Sequence, residues 1–77
     1  MSQTLLANSE QKAQQAFATS PIYALRTLHI EQVGEALHVR GRVTSFYTKQ
    51  LAQELLRSVA EGLQVVNHVE VELPQPR

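Results

Sequence analysis

Residues 37–50 read LHVRGRVTSFYTKQ, and within them the apolar pattern changes from a period of two to a helical period. Leu37, Val39 and Val43 alternate with polar residues, which is the pattern of a strand with one buried face. Gly41 takes an inward position in that alternation, where a side chain would otherwise pack. The first half of the stretch therefore predicts a strand whose two arginines face outward.

The second half of the stretch predicts the start of a helix. Thr44 or Ser45 can accept the free amide hydrogens of the first turn. Gly62 is positioned to end the helix in a left-handed conformation. Apolar residues recur every four positions in this helix and form a stripe of Leu51, Leu55 and Val59. Ala52 and Leu56 flank that stripe.

Residues 8–20 predict an earlier, short amphipathic helix. Asn8 or Ser9 can cap its start, and it should stop at or before Ser20 because the next residue is a proline. The connection that follows carries three large apolar residues, which we interpret as a plug over the core: Ile22, Tyr23 and Leu25.

From residue 27 the period is two, with Leu28 and Ile30 inward. Gly34 and Glu35 then supply a turn toward the strand at residues 37–43. Two alternating runs joined by a short turn that contains glycine are typical of an antiparallel hairpin.

Residues 65–73 predict a last strand in which Val69, Val71 and Leu73 face inward, and Pro74 closes it. Because strand–helix–strand crossovers are right-handed, this strand should run parallel to the second one. The predicted fold class is α+β, an α-β-β-α-β two-layer sandwich with two helices packed on one face of a mixed three-stranded sheet. One domain should span residues 1–77, with a core at about 8–73 and a polar tail at 74–77.

The composition excludes several functional classes. The 77 residues contain no cysteine, which excludes disulfides, thiolate metal sites and a cysteine nucleophile. Seven basic and seven acidic residues cancel, whereas polyanion-binding domains usually have a basic excess. The N-terminus lacks the basic and apolar regions of a signal peptide, so we expect a cytoplasmic chain, or an envelope association if a leader has been removed.

A family resemblance extends over residues 28–71, LHIEQVGEALHVRGRVTSFYTKQLAQELLRSVAEGLQVVNHVEV. An apolar-x-apolar strand is followed by a glycine turn, an apolar-x-apolar-x-Gly-x-Val strand, a helix striped with alanine and leucine, and the motif Val65-Val66-Asn67. This order resembles the BON domain, a bacterial module named after osmotically induced and nodulation proteins. Gly34 and Gly62 lie slightly off the family pattern. The resemblance implies a non-catalytic module that binds phospholipid or another protein, often in envelope or osmotic-stress contexts.

The strand-to-helix corner is the first candidate binding site, with Arg42, Phe46, Tyr47 and Lys49. At a lipid interface the aromatic rings would enter the headgroup region while the two cations meet phosphate. As the alternative, at least one of the rings closes the end of the core. We expect this structural role for at least one ring.

The exposed sheet face is the second candidate, because alternation places His29, His38, His68 and Arg40 on the side opposite the helices. Three imidazoles can bind zinc if their nitrogens approach one point at about 2.0–2.1 Å. Histidine is also an ordinary residue of an exposed strand, so we predict no metal and no cofactor. The mixed charges on this face are expected to keep it solvated. As the alternative, the face is covered by a second copy or by another protein.

Catalytic motifs are sparse, and we do not expect an enzyme: no P-loop, paired dinucleotide glycines or metalloprotease helix motif occurs. The sequence favours a non-catalytic binding module of the BON type. The alternative is a structural homodimer formed through sheet edges or the open face. An RNA-binding module is less favoured, because the net charge is zero and no Gly-x-x-Gly clamp is present.

Overall fold

A computed structural model of the chain describes residues 3–73, with side-chain surroundings from residue 9 onward. The predicted polar tail and the predicted closure at Pro74 lie outside the described residues. The three helices are α1 Gln3–Ala18, α2 Tyr23–Arg26 and α3 Phe46–Val59. The five strands are β1 His29–Val33, β2 Ala36–Arg40, β3 Arg42–Val43, β4 Gln64–Asn67 and β5 Glu70–Val71.

The main sheet has the order β1-β2-β4. β1 pairs antiparallel with β2, and β4 pairs parallel with β2. α1 packs against β1 and α3, while α3 also packs against β2 and β4, so both long helices cover one face. The predicted α+β two-layer architecture is confirmed, and a short pair of parallel strands, β3 and β5, is added to it.

The second and last strands are each divided in two, where the sequence predicted single strands. The first division falls at Gly41, which has φ of +144°. A Cβ atom at this position would overlap Leu28 Cδ2. The absence of a side chain therefore lets Leu28, a core residue with 2% exposure, pass beneath the strand. The second division lies after Asn67, and the Glu70 amide donates to the Gly41 carbonyl at 2.9 Å, which joins the two breaks.

The core lies between the helices and the sheet. Its most deeply buried side chains come from α1, β1, β2, α3 and the chain after β4: Phe17, Ile30, Leu37, Val39, Leu56 and Val69. On α3 the centre of the apolar stripe differs from the prediction. Ala52 and Leu56 are fully buried, and the predicted central residues, Leu51, Leu55 and Val59, are the half-buried flanks.

The start of α1 was predicted wrongly. The helix begins at Gln3, so Ser9 is a buried residue inside the helix rather than its cap. Residues 3–7 contain no glycine or proline that would stop the helix from extending backward. Its end at Ala18 agrees with the predicted limit of Ser20.

The ends of α3 agree better with the sequence. The Ser45 hydroxyl accepts the Thr48 amide at 3.1 Å, as a capping residue should. At the other end, Glu61 enters the left-handed region with φ of +55° and Gly62 follows with φ of +91°. Lys12 Nζ lies 2.6 Å from Glu61 Oε2 and ties this turn to α1.

Candidate binding surfaces

Strand register and chain order bring several segments to one end of the molecule. β1 begins opposite the last residue of β2, because His29 pairs with Arg40. The β3–β5 pair continues beyond that point, α2 ends shortly before β1, and α3 begins shortly after β3. α2 also packs against α3. The large apolar residues of these segments are called the aromatic end: Ile22, Tyr23, Phe46, Tyr47 and Leu73.

The side chains of the aromatic end are exposed. Tyr23, Tyr47 and Phe46 have exposures of 73%, 70% and 66%, and those of Leu73 and Ile22 are 55% and 38%. Neither Phe46 nor Tyr47 closes the core, so the structural role expected for one of the rings is wrong. The predicted plug is also reduced to one residue, since Leu25 is buried but its two neighbours are not. The chain thus presents aromatic surface to solvent at a single end.

The two cations of the predicted corner differ in their surroundings. Lys49 is half-buried in the first turns of α3. Its side chain helps to line a depression of about 320 Å³ on the outer side of that helix. Arg42 points to the opposite side of the strand, where Nε lies 3.8 Å from Glu70 Oε1 and Nη1 lies 3.4 Å from Glu72 Oε2. The positive charge of Arg42 is therefore balanced locally, and of these two cations Lys49 is the one that lines the same depression as Phe46.

Asn67 positions the start of α3, a role that the sequence analysis did not assign. Its Nδ2 donates to the Lys49 carbonyl at 3.1 Å, and its Oδ1 accepts the Val69 amide at 2.9 Å. One amide side chain therefore joins α3 to the break between β4 and β5. The Val-Val-Asn motif was the available signal. A polar residue directly after two apolar strand residues lies close to the core, and buried polar groups are hydrogen-bonded.

The open sheet face, the surface opposite the helices, carries the predicted histidines. His38 Nδ1 and His68 Nε2 lie 2.9 Å apart, with ring planes inclined by 5° and ring centroids separated by 5.1 Å. In nearly coplanar rings, the N···N distance plus the distance from each nitrogen to its own ring centre gives about the observed centroid separation. The two rings therefore meet edge to edge through an N–H···N hydrogen bond. One neutral imidazole donates and the other accepts.

His29 does not join this pair. It lies opposite Arg40, which is 3.9 Å from the carboxylate of Glu31. The three histidines therefore do not converge as a trio. Within residues 3–73, no group of three or more histidines or acidic side chains is arranged to hold a metal ion.

Charged neighbours surround the histidine pair. Glu31 lies opposite His38 in the β1–β2 register. A shallow depression next to His68 is lined by Arg40, Arg42 and Glu70. The charged side chains of this face form exposed ion pairs, which contribute little stability.

Comparison with known proteins gives no relative: no family model, curated protein or solved structure matches this chain. The resemblance to BON domains therefore stays a prediction from the sequence pattern. In the described part of the chain, no helix has the length and apolar character needed to cross a bilayer.

Proposed function

We propose that this chain is a non-catalytic binding module of the BON type, and that it attaches to phospholipid surfaces through the aromatic end. One observation carries the proposal. Phe46 and Tyr47 are consecutive residues at the start of a well-packed helix, and they expose 66% and 70% of their surface. Apolar groups gathered on a small protein mark a place of contact, because leaving them in water forgoes the free energy of burial.

The composition of the aromatic end suits a lipid interface. Tyrosine has an apolar ring and a polar hydroxyl, and such amphipathic rings are enriched at the level of lipid headgroups. Tyr23 and Tyr47 supply two of them, and Phe46 adds an apolar ring that lines the same depression as Lys49.

Charge should contribute less than the rings. Arg42 faces two carboxylates within 4 Å, so its attraction to phosphate is offset by Glu70 and Glu72. We therefore expect binding to zwitterionic vesicles as well as anionic ones, with a modest increase for anionic lipid and a weak dependence on salt.

Cosedimentation with vesicles tests this function. The wild type, a Phe46→Ser/Tyr47→Ser variant and a Val33→Ser variant are mixed with phosphatidylcholine vesicles, with and without phosphatidylglycerol. Val33 is a matched control, because it is 52% exposed and lies at the other end of the sheet beside the hairpin turn. The proposal expects the wild type and Val33→Ser in the pellet and the double variant in the supernatant. Wild-type protein that stays in the supernatant with both vesicle types would point instead to a protein partner.

A further inference from the structure

β4 forms an edge of the main sheet. The amides of Gln64 and His68 donate to the carbonyls of Glu35 and Val39 on the β2 side, both at 2.9 Å. Backbone groups alternate in direction along a strand, so the N–H and C=O groups of Val65 and Asn67 point away from β2. Within the described residues no strand pairs with that outer side.

The other edge of the sheet is covered differently. On β1, the side chain of Gln14 donates to the Leu28 carbonyl at 3.4 Å and accepts the Ile30 amide at 3.1 Å. A helix side chain thus takes the place of a neighbouring strand. α1 therefore covers the first outward groups of β1, whereas within the described residues no hydrogen bond reaches the outward backbone groups of Val65 and Asn67.

β4 also lacks the charged residues and the proline that often protect an edge strand. Its sequence, Gln64-Val65-Val66-Asn67, contains no charge and no proline. A depression of about 260 Å³ runs beside it, between the end of α3 and the strand. Only the stretch around Val66 is open, because the next amide, that of Val69, is already bonded to the Asn67 side chain.

We propose that a second copy of this chain pairs antiparallel with β4, about a two-fold axis at Val66. In that register Val65 of each copy lies opposite Asn67 of the other, and the outward N–H and C=O groups of both residues exchange hydrogen bonds. A second copy fits this edge because the pattern is self-complementary: the same rotation satisfies both edges at once. The two three-stranded sheets become one continuous sheet.

The register makes a specific demand at Val66. Its side chain is half-buried on the open sheet face beside His38, with which it pairs across β2 and β4. In the dimer it lies opposite its own copy, in the closer, non-hydrogen-bonded type of antiparallel pair. A substitution at Val66 therefore changes both side chains that face each other at the two-fold axis.

Crosslinking provides the first test. The chain has no cysteine, so Val66→Cys places one thiol per copy at the proposed axis, and Val33→Cys places one on the same face beside the hairpin. Under mild oxidation Val66→Cys should form a disulfide-linked dimer at least ten-fold faster than Val33→Cys. Wild-type protein should show a concentration-dependent mass in sedimentation equilibrium. A wild type that remains monomeric at submillimolar concentration, or equal crosslinking of the two variants, would overturn the proposal.

Charge substitution provides the second test and checks the register. Val66→Lys and Val66→Glu should each be monomeric, because like charges face each other across the axis, while an equimolar mixture should recover the dimer. Circular dichroism of each variant verifies that the fold is kept. Failure of the mixture to associate, with both variants folded, contradicts the axis at Val66. These tests contain no lipid, so their outcome is independent of the proposed membrane attachment.

Discussion

The side-chain amide of Asn67 donates to the backbone carbonyl of Lys49 at 3.1 Å and so fixes the first turns of α3 against the end of β4. Phe46 and Tyr47 belong to the same turns, so the orientation of the aromatic end depends on this contact. The same side chain also accepts the Val69 amide, and Val69 is a core residue with 1% exposure. One residue thus links the core, the sheet edge and the proposed binding surface.

Replacing Asn67 should destabilise the fold. Asn67→Ala leaves the Val69 amide without its partner and removes the tie to the Lys49 carbonyl, which keeps its helical bond; an unsatisfied buried donor costs about 1–3 kcal/mol. Urea denaturation measures the change, with Gln53→Ala on the exposed side of α3 as the control. A loss of less than about 0.5 kcal/mol, the usual range for surface substitutions, would contradict this role.

Gly41 should be less tolerant of a side chain than Gly34. Both have positive φ, +144° and +60°, but a Cβ atom meets nothing within 4 Å at Gly34 and overlaps Leu28 at Gly41. Gly34→Ala should cost about 1–2 kcal/mol from backbone conformation, and Gly41→Ala should cost clearly more. Thermal and urea unfolding of the two variants give the comparison. Equal losses of stability for Gly34→Ala and Gly41→Ala would refute the overlap at Gly41. The overlap also predicts that the double variant Leu28→Ala/Gly41→Ala loses less stability than the sum of the two single variants.

How far the sequence could predict this fold is seen in its local patterns. Alternation at Leu28, Ile30, Leu37 and Val39 predicted which residues face the core, and the Ser45 cap follows from local hydrogen bonding. Local patterns could not predict the strand break at Gly41. The break depends on contact with Leu28, which lies directly before β1 and is distant from Gly41 in the sequence. A glycine in an apolar register indicates that space is needed, but not what occupies it.

The candidate sites show the same limit. Sequence alternation placed His29, His38 and His68 on one face, but only the strand register determines which of them meet. The exposure of Phe46 and Tyr47 also could not be predicted from the local sequence pattern. The register of α3 against the sheet centres on Ala52 and Leu56 and directs both rings outward.

The His38–His68 hydrogen bond should stabilise the fold. It joins β2 to the chain after β4, with one ring donating and the other accepting. His68→Asn removes one of the two rings, so the melting temperature of wild type should exceed that of this variant.

Nitrogen-15 chemical shifts of the two rings provide the structural check. They should report one ring proton shared between His38 and His68, and no shared proton at His29. Equal melting temperatures for wild type and His68→Asn would contradict a stabilising role of this hydrogen bond.

Glu61 should stabilise the fold only above acidic pH. Lys12 lowers the pKa of the Glu61 carboxyl, first through a side-chain hydrogen bond and then through its charge, and Ser9 adds a weaker hydrogen bond. Because the folded pKa is depressed, the contribution is present above the unfolded value and lost as the pH falls through the folded one. Lys12→Met should raise the Glu61 pKa measured by NMR titration and lower the melting temperature at neutral pH more than at acidic pH. The same Glu61 titration in wild type and variant would show that the pair has no influence.

A single tryptophan can report contact between the aromatic end and lipid directly. The chain has no tryptophan, so Phe46→Trp carries one reporter at the aromatic end and Val33→Trp carries one at the opposite end of the sheet. We predict that phosphatidylcholine vesicles shift the emission of Phe46→Trp to shorter wavelength and that brominated lipid quenches it, while Val33→Trp is unchanged. Emission of Phe46→Trp that is identical with and without vesicles, both zwitterionic and anionic, would contradict the proposed function.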